Sequence, residues 1–371
     1  MKSIVLLIPA WNPNATLLDL VRECRSLGID QITVVDDGSD ASCQTIFQDV
    51  QNEGALLVHH GRNRGKGAAI RSGIRASVEK YGAGISIVTA DADGQHRPED
   101  IVRIAREVQK HPKSLILGTR NFNGSDVPKK SRWGNRFSSI LFRLTTGVRC
   151  TDTQTGLRGI PNDLLDLALE EDGDRYEYEM NFLTDAVTRT TLVSVPISTI
   201  YENGNKGSHY RPVRDSLRVI GRFVRYIAAS LIGAASDLIF FTIFVSLLTS
   251  GSDLTAAAVI SGSTISARLL SGVINFLLNK YWSFHSRSDG KQEAVRYGIL
   301  FLALMGSSTV GTTLLSAALP PLAAKLIVDT TLFFVSYRIQ HRYVFQRKGG
   351  VSHETESKSK KHASQTLGGL V

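Results

Sequence analysis

The sequence predicts an α/β domain followed by an all-α, four-helix transmembrane domain. Short β-branched runs ending in acidic turns alternate with amphipathic helices up to about residue 215. Long apolar segments then fill the stretch from Phe223 to Phe345. Arginine and lysine crowd at one set of ends of those segments. The expected domains are 1–215, 216–348, and a polar, basic, serine-rich tail over 349–371 whose composition predicts disorder. Apolar content of 42% with 21% charged residues is ordinary for a folded chain. A net charge of +9 invites a nucleic-acid or an anionic-membrane partner. The apolar neighbours of the basic clusters assign it to the lipid bilayer and not to nucleic acid. Cys24, Cys43 and Cys150 show no metal-ligand spacing and read as reduced thiols.

Taken in order, the run 4–8 is too short for a signal peptide and breaks at Pro9 without a small-residue cleavage pattern, so it predicts a first strand. An amphipathic helix over 15–27 leads to a buried strand over 31–35, which ends in Asp36-Asp37-Gly38-Ser39. Acids at a strand's carboxyl end suit hydrogen bonds from a ribose hydroxyl or a base N–H, while Ser39 or Asp40 can also cap a helix. A strand around 55–59 precedes Gly61-Arg62-Asn63-Arg64-Gly65-Lys66-Gly67 and a helix through Ala76. Glycines and cations at a helix start form a candidate anion site, without the Ser/Thr and glycine spacing of a Walker loop.

The apolar run 85–90 predicts a buried strand that delivers Asp91-Ala92-Asp93-Gly94-Gln95-His96. Two carboxylates and an amide leaving a strand's carboxyl end suit a hard cation, Mg²⁺ or Mn²⁺, held by Asp91, Asp93 and Gln95. Such an ion completes its shell with water and substrate phosphate oxygens. A bare D-x-D also occurs as a plain acidic surface turn. A helix over 98–109 and a strand over 114–118 follow, the latter delivering Thr119-Arg120.

The segments IPAWN, DDGS, NRGKGAAIRSG, DADGQH and GTR, in that order and at these separations, resemble a family-two glycosyltransferase of the GT-A fold. More narrowly they are similar to the polyprenyl-phosphate and dolichyl-phosphate sugar transferases. Asp152-Thr153-Gln154-Thr155-Gly156-Leu157-Arg158, Tyr176-Glu177-Tyr178-Glu179 and Ser208-His209-Tyr210-Arg211 extend the likeness across 1–215. The resemblance implies a GT-A (Rossmann-like) domain that binds a nucleotide-sugar donor linked to UDP or GDP. It also implies a polyprenyl-phosphate lipid acceptor and Mg²⁺ or Mn²⁺ at Asp91, Asp93 and Gln95. Nucleotide contacts carry over to Pro9, Asp36, Asp37 and Lys66. Arg120 and Arg132 resemble basic residues that meet donor or acceptor phosphates. Where relatives place tyrosine before the asparagine and glutamate after it, this chain has Trp11 and Pro13, so one expected nucleotide contact is missing.

The chemistry also follows from the residues. Displacement at an anomeric carbon needs a stabilised diphosphate leaving group, which a metal-binding Asp93 would serve. A lipid phosphate is already anionic and needs cationic guides, for which Arg120, Arg132, His209 and Arg211 are available. A sugar hydroxyl would need a carboxylate base instead, with Asp152, Glu177 and Glu179 as candidates. The segments 132–144 and 213–225 read as basic amphipathic helices; the first is expected to face the protein core and the second the membrane interface.

Four spans are expected at about 226–248, 254–278, 297–319 and 322–345. The connectors 249–253 and Pro320-Pro321 carry no lysine or arginine, whereas Arg218, Arg222, Arg225, Lys280, Arg287, Lys291, Arg296, Arg342, Arg347 and Lys348 lie at the opposite ends. This bias predicts a multi-pass protein of the cell membrane with both termini and the catalytic domain in the cytosol. Arg225-Tyr226 with Tyr281-Trp282-Ser283-Phe284, and Arg296-Tyr297 with Arg342-Tyr343-Val344-Phe345, suggest a repeated helical hairpin. That pattern is similar to the GtrA-like membrane domain. Asp237, Arg268, Lys325 and Asp329 are costly in lipid and expected to face one another or a polar path. A carrier that moves a lipid-linked sugar across the bilayer and a transferase acting on a diacylglycerol (glycolipid) or a glycan hydroxyl stay open, as does the oligomeric state, a homo-oligomer included.

Overall fold

The computed structural model describes residues 3–122, 129–198, 221–251, 256–286 and 288–345. His209, Arg211, most of the basic segment 213–225 and the tail 349–371 lie outside the described residues. Among the described residues seven strands form one sheet: β1 (Ile4–Ala10), β2 (Gln31–Asp36), β3 (Leu56–His59), β4 (Ser86–Thr89), β5 (Ser114–Arg120), β6 (Arg158–Ile160) and β7 (Thr191–Ile197). Their order is β3-β2-β1-β4-β6-β5-β7. The first four strands run parallel, and β5 runs parallel to β7. β6 enters antiparallel between β4 and β5. This mixed sheet is the α/β arrangement that the resemblance implied, and the antiparallel β6 is the part that no motif announced.

Helices cover both faces, which is why the strands read as continuous apolar runs. Ile4, Leu6 and Ile8 of β1 pack with Leu17 and Val21 of α1 (Thr16–Ser26), Phe47 of α2 (Gln44–Asn52) and Ile101 of α4 (Pro98–Lys110). Val5 and Leu7 point the other way, into a layer with Ile70 of α3 (Lys66–Tyr81), Phe142 of α5 (Lys129–Thr146), Leu165 of α6 (Leu165–Glu170) and Phe182 of α7 (Glu177–Arg189). All three cysteines are free and buried.

The second half forms two helical hairpins. The first pairs α8 (Gly221–Gly251) with α9 (Ala256–Leu277) and closes in a π-helical turn, Leu278–Ser283. The second pairs α10 (Gly290–Leu315) with α11 (Pro321–Ile339) and closes in a matching turn, Gln340–Val344. Among the described residues two stretches, Gly221–Thr249 and Gly290–Leu315, are long and apolar enough to cross a bilayer by length and composition, against the four spans expected. The charged residues within these helices do meet one another. Asp237 accepts from Ser271 Oγ at 3.0 Å and lies 3.7 Å from Arg268; Asp329 accepts from Ser308 Oγ at 2.6 Å and pairs with Lys325 at 2.9 Å. Each set stays within its own hairpin.

One orientation corrects the sequence. Helix α5 does not turn its apolar stripe toward the core: Trp133, Phe137 and Ile140 are 72%, 60% and 52% exposed. Its opposite side is buried through Asn135, Ser138, Phe142 and Thr145, because polar groups there bond the segment before β6. Asn135 Nδ2 donates to the Thr151 carbonyl at 2.7 Å, and the Ser138 and Thr153 hydroxyls share a hydrogen bond at 2.7 Å.

Candidate active site at the carboxyl edge of the sheet

The site residues gather where β1, β2, β4 and β5 end. Asp36 closes β2 and accepts from Ser39 N at 2.8 Å, with His59 Nδ1 at 2.9 Å. Asp37 is wholly engaged with its own chain: His60 Nδ1 lies 2.7 Å away, and the amides of Arg64 and Gly65 donate at 2.9 and 2.7 Å. It therefore shapes the loop entering α3. Gly38 permits that loop's close approach, since any side chain there would meet the Arg62 and Asn63 backbone. Half-buried Pro9 and exposed Trp11 end β1, and Asn12, in a left-handed turn at φ 49°, bridges to Ser39 and Asp40.

Lys66 opens α3, but it faces acids. Its Nζ lies 2.6 Å from Asp91 Oδ1 and 2.9 Å from Glu179 Oε2. His96 Nε2 approaches the other Asp91 oxygen at 3.3 Å. Burial alone would lift the Asp91 carboxyl, but Lys66 and then His96 outweigh it and hold the group far below the usual carboxylate range. Burial opposes charge on Lys66 as well, and Asp91 and Glu179 together raise it above the ordinary lysine value. Asp93 stands at the exposed tip of the turn, accepting from Gln95 N at 3.1 Å. Partial desolvation and the nearby Asp91 charge raise its carboxyl. Asp91, Asp93 and Gln95 thus carry on one turn hard oxygen donors of the kind Mg²⁺ or Mn²⁺ takes, with Asp91 already held by Lys66 and His96.

Beyond β6 the cationic side of the site is built. Arg120 grips Asp152 through Nε at 2.7 Å and Nη2 at 2.9 Å, and its amide donates to the same carboxylate at 3.2 Å. Gln154 N donates to Asp152 at 3.2 Å. Asp152 is fully buried, so it orients Arg120 and is a poor candidate for a base. Thr89 Oγ1 donates to the Gly156 carbonyl at 2.8 Å, and Gly156 lies so close to the Asp91 carboxylate that a side chain there would force that carboxylate to shift. The segment 152–158 is thereby pressed between the acidic turn and Arg120. Arg158, buried behind it, donates to the carbonyls of Thr155 and Glu179 at 2.9 and 2.5 Å. Arg132 is half-buried at the start of α5, and Glu177 begins α7, accepting from Arg175 N at 3.3 Å. The roles of His96 and Arg158 were not legible. Both stood inside quoted motifs, but only folding shows which groups they hold.

The α/β domain rests on the helices. Arg338 of α11 donates to the Leu144 and Arg143 carbonyls at the end of α5, both at 2.8 Å. Arg222 at the start of α8 pairs with Asp185 of α7 and with Glu171 at 3.0 Å. A cavity of about 40 Å³ lies at this junction, walled by Leu141, Phe142, Met180, Phe223 and Tyr337.

Residues 5–165 match the family Glycosyl transferase family 2, and residues 225–345 match the family GtrA/DPMS, transmembrane domain. A UDP-N-acetylglucosamine–dolichyl-phosphate N-acetylglucosaminyltransferase of Methanococcus voltae is 31% identical over 219 residues, covering 54% of this chain and 86% of that protein. An undecaprenyl-phosphate 4-deoxy-4-formamido-L-arabinose transferase of Pseudomonas paraeruginosa is 31% identical over 175 residues, 45% of this chain and 49% of that protein. Among solved structures, glucosyl-3-phosphoglycerate synthase from Mycobacterium tuberculosis, in complex with Mn²⁺, UDP and phosphoglyceric acid, aligns with a TM-score of 0.44 and 17% identity over 62% of this chain and 77% of that one. The chain belongs to glycosyl transferase family 2, and its second half matches the GtrA/DPMS transmembrane domain.

Proposed function

We propose that the protein is a membrane glycosyltransferase that moves a sugar from a nucleotide-sugar, UDP- or GDP-linked, to a polyprenyl phosphate at the cytosolic face of the membrane. The observation that carries this reading is the joining of the acidic turn Asp91–Gln95 to a domain whose α5 presents Trp133, Phe137 and Ile140 outward beside apolar helices. Relatives named for transfer to dolichyl and undecaprenyl phosphates support the acceptor class.

Asp91, Asp93 and Gln95 would hold Mg²⁺ or Mn²⁺, which when bound supplies positive charge to the leaving diphosphate. Lys66 fixes Asp91 in its ionised form and keeps it oriented. Asp36 and Asp37 shape the nucleotide side of the pocket through the loops they hold, with Pro9 and Trp11 as its wall. Asp152 aims Arg120, and Arg120 and Arg132 guide an anionic nucleophile. Two of the three carboxylates that a hydroxyl acceptor could use as a base are committed to cations, Asp152 to Arg120 and Glu179 to Lys66, while Glu177 accepts a backbone N–H from Arg175. That favours a phosphate acceptor, which brings its own charge.

The domain limits 1–215, 216–348 and 349–371 belong to this proposal, as do four membrane spans with cytosolic termini. Exposed Ile265 and Leu269 on α9, and Leu322 and Leu326 on α11, support lipid-facing roles for the two shorter helices. Because Asp237 meets Arg268 and Asp329 meets Lys325, the charges within the spans support anchoring and presentation. The test is to incubate membranes containing the protein with polyprenyl phosphate and a panel of labelled nucleotide-sugars. A lipid-extractable product that releases its sugar in mild acid is expected. An acid-stable glycolipid would overturn the phosphate acceptor.

A further inference from the structure

The two hairpins exchange equivalent contacts. Tyr297, which opens the second, donates to Asn275 Oδ1 at 3.0 Å, and Asn279 Nδ2 donates to the same oxygen at 2.5 Å. In the mirrored place Gln340 Nε2 donates to Ser336 Oγ at 2.9 Å and to Tyr226 Oη, which opens the first hairpin, at 3.4 Å. Rings follow suit: Tyr226 meets Phe284 at 6.0 Å and Tyr297 meets Phe345 at 6.4 Å, while Phe284 and Phe345 stack on each other at 5.2 Å. Lys280 follows Asn279, and His341 follows Gln340. Glu293 and Arg222 each stand one helical turn before the opening tyrosine. The pseudo-twofold relation therefore matches the pair Lys280–Glu293 with the pair His341–Arg222.

At that layer the symmetry breaks. Lys280 and Glu293 form a buried ion pair inside the membrane domain. Their counterparts, His341 and Arg222, are two nitrogen bases that bring no acid, with Nε2 and Nη1 3.3 Å apart. The missing acid comes from the catalytic domain. Asp185 Oδ1 lies 2.8 Å from His341 Nε2 and pairs with Arg222, and Glu171 lies 3.0 Å from Arg222 Nη2. All four side chains are nearly buried.

We infer that Asp185 and Glu171 complete a half-site left open in the second hairpin, so that Arg222 and His341 dock the catalytic domain and act as positioning residues for its site. Both acids sit on pieces that brace Lys66. Asp185 shares α7 with Glu179, which holds Lys66 at 2.9 Å. The segment after Glu171 holds α3, where Ala68 N donates to the Asp174 carbonyl at 3.1 Å and Arg71 Nη1 to the Glu171 carbonyl at 3.0 Å. A buried charge left without its partner is strongly unfavourable, so the acids and bases stay together. The positioning half of the inference rests on the proposed reaction; the docking half does not.

The test uses the full chain in lipid nanodiscs. The double variant Arg222→Glu, His341→Lys copies Glu293 and Lys280 into the second hairpin, giving it an internal pair and repelling Asp185 and Glu171. Amide hydrogen exchange in α7 should rise at least tenfold, with the four membrane helices unchanged. Adding Asp185→Lys and Glu171→Gln should return α7 exchange to within threefold of the parent. Asp185→Asn alone should give the same local rise and keeps the test decisive if the double variant fails to fold. Parental α7 exchange in both the double variant and Asp185→Asn overturns docking. For transfer to polyprenyl phosphate, kcat should fall at least tenfold in the undocked variant, with donor KM within threefold and recovery on charge rescue. Unchanged kcat in an undocked variant overturns positioning. Absence of transfer by the parent overturns the proposed reaction and leaves the exchange result standing on its own.

Discussion

Lys66 reaches across the start of α3 to bind Asp91 at 2.6 Å, so the cation that the sequence offered to a phosphate is spent on the first acid of the D-x-D turn. Removing it as Lys66→Met strands Asp91 and Glu179 in a largely buried place. A loss of about 3 kcal/mol of stability is expected, the range for breaking a buried pair. The folded Asp91 carboxyl is depressed, so its pairing stabilises fully above its unfolded pKa of about 3.9 and is lost only as pH falls through the much lower folded value. Urea unfolding of parent and variant should therefore differ by a constant amount from pH 8 to 5 and converge in strong acid.

Asp93→Asn, nearly isosteric but uncharged, should lower the transfer rate on the order of a hundredfold or more, about 3–4 kcal/mol of charge stabilisation. Initial rates against Mg²⁺ and Mn²⁺ check this, and a chelator should abolish the parent's activity. Near-normal turnover in the variant would remove the turn from the mechanism.

Arg132→Ala should weaken use of the lipid acceptor while leaving donor affinity in place, because the residue is assigned to the acceptor side. Asp152→Asn should lower turnover by at least tenfold through a misaimed Arg120, since it halves the bidentate grip. Separate titrations of donor and acceptor distinguish the two variants.

Burial pushes the Cys24 thiol up to about 12 and the Cys150 thiol up to about 11. Raised values mean almost no thiolate at neutral pH, so native protein should resist iodoacetamide at pH 8 at both positions. Mass spectrometry after a timed pulse should find them labelled only when urea is present.

The strands β1, β2 and β4 and the acidic turns were legible because a parallel strand buried on both faces must be a continuous apolar run, and its end must be polar. Asp91 and Asp93 could be placed on that ground alone. The pairing of Lys66 with Glu179 could not, because it joins two helices far apart in the chain. The three residues of β6 are too few to show a period, and their antiparallel direction is set by the partners on either side. Helix α5 displays the opposite problem. Its apolar stripe is plain in the sequence, but periodicity cannot say whether Trp133 and Phe137 meet protein or lipid.

The direction of β6 has one more result. Parallel strands deliver their carboxyl ends to the site, whereas β6 delivers its beginning, so Asp152 and Thr155 arrive there before the strand instead of after it. Arg120 at the end of β5 and Asp152 ahead of β6 therefore meet at one edge of the sheet, joined by a bidentate pair. The Arg120–Asp152 pair thus clasps two neighbouring strands that run in opposite directions, so a change at either residue reaches both.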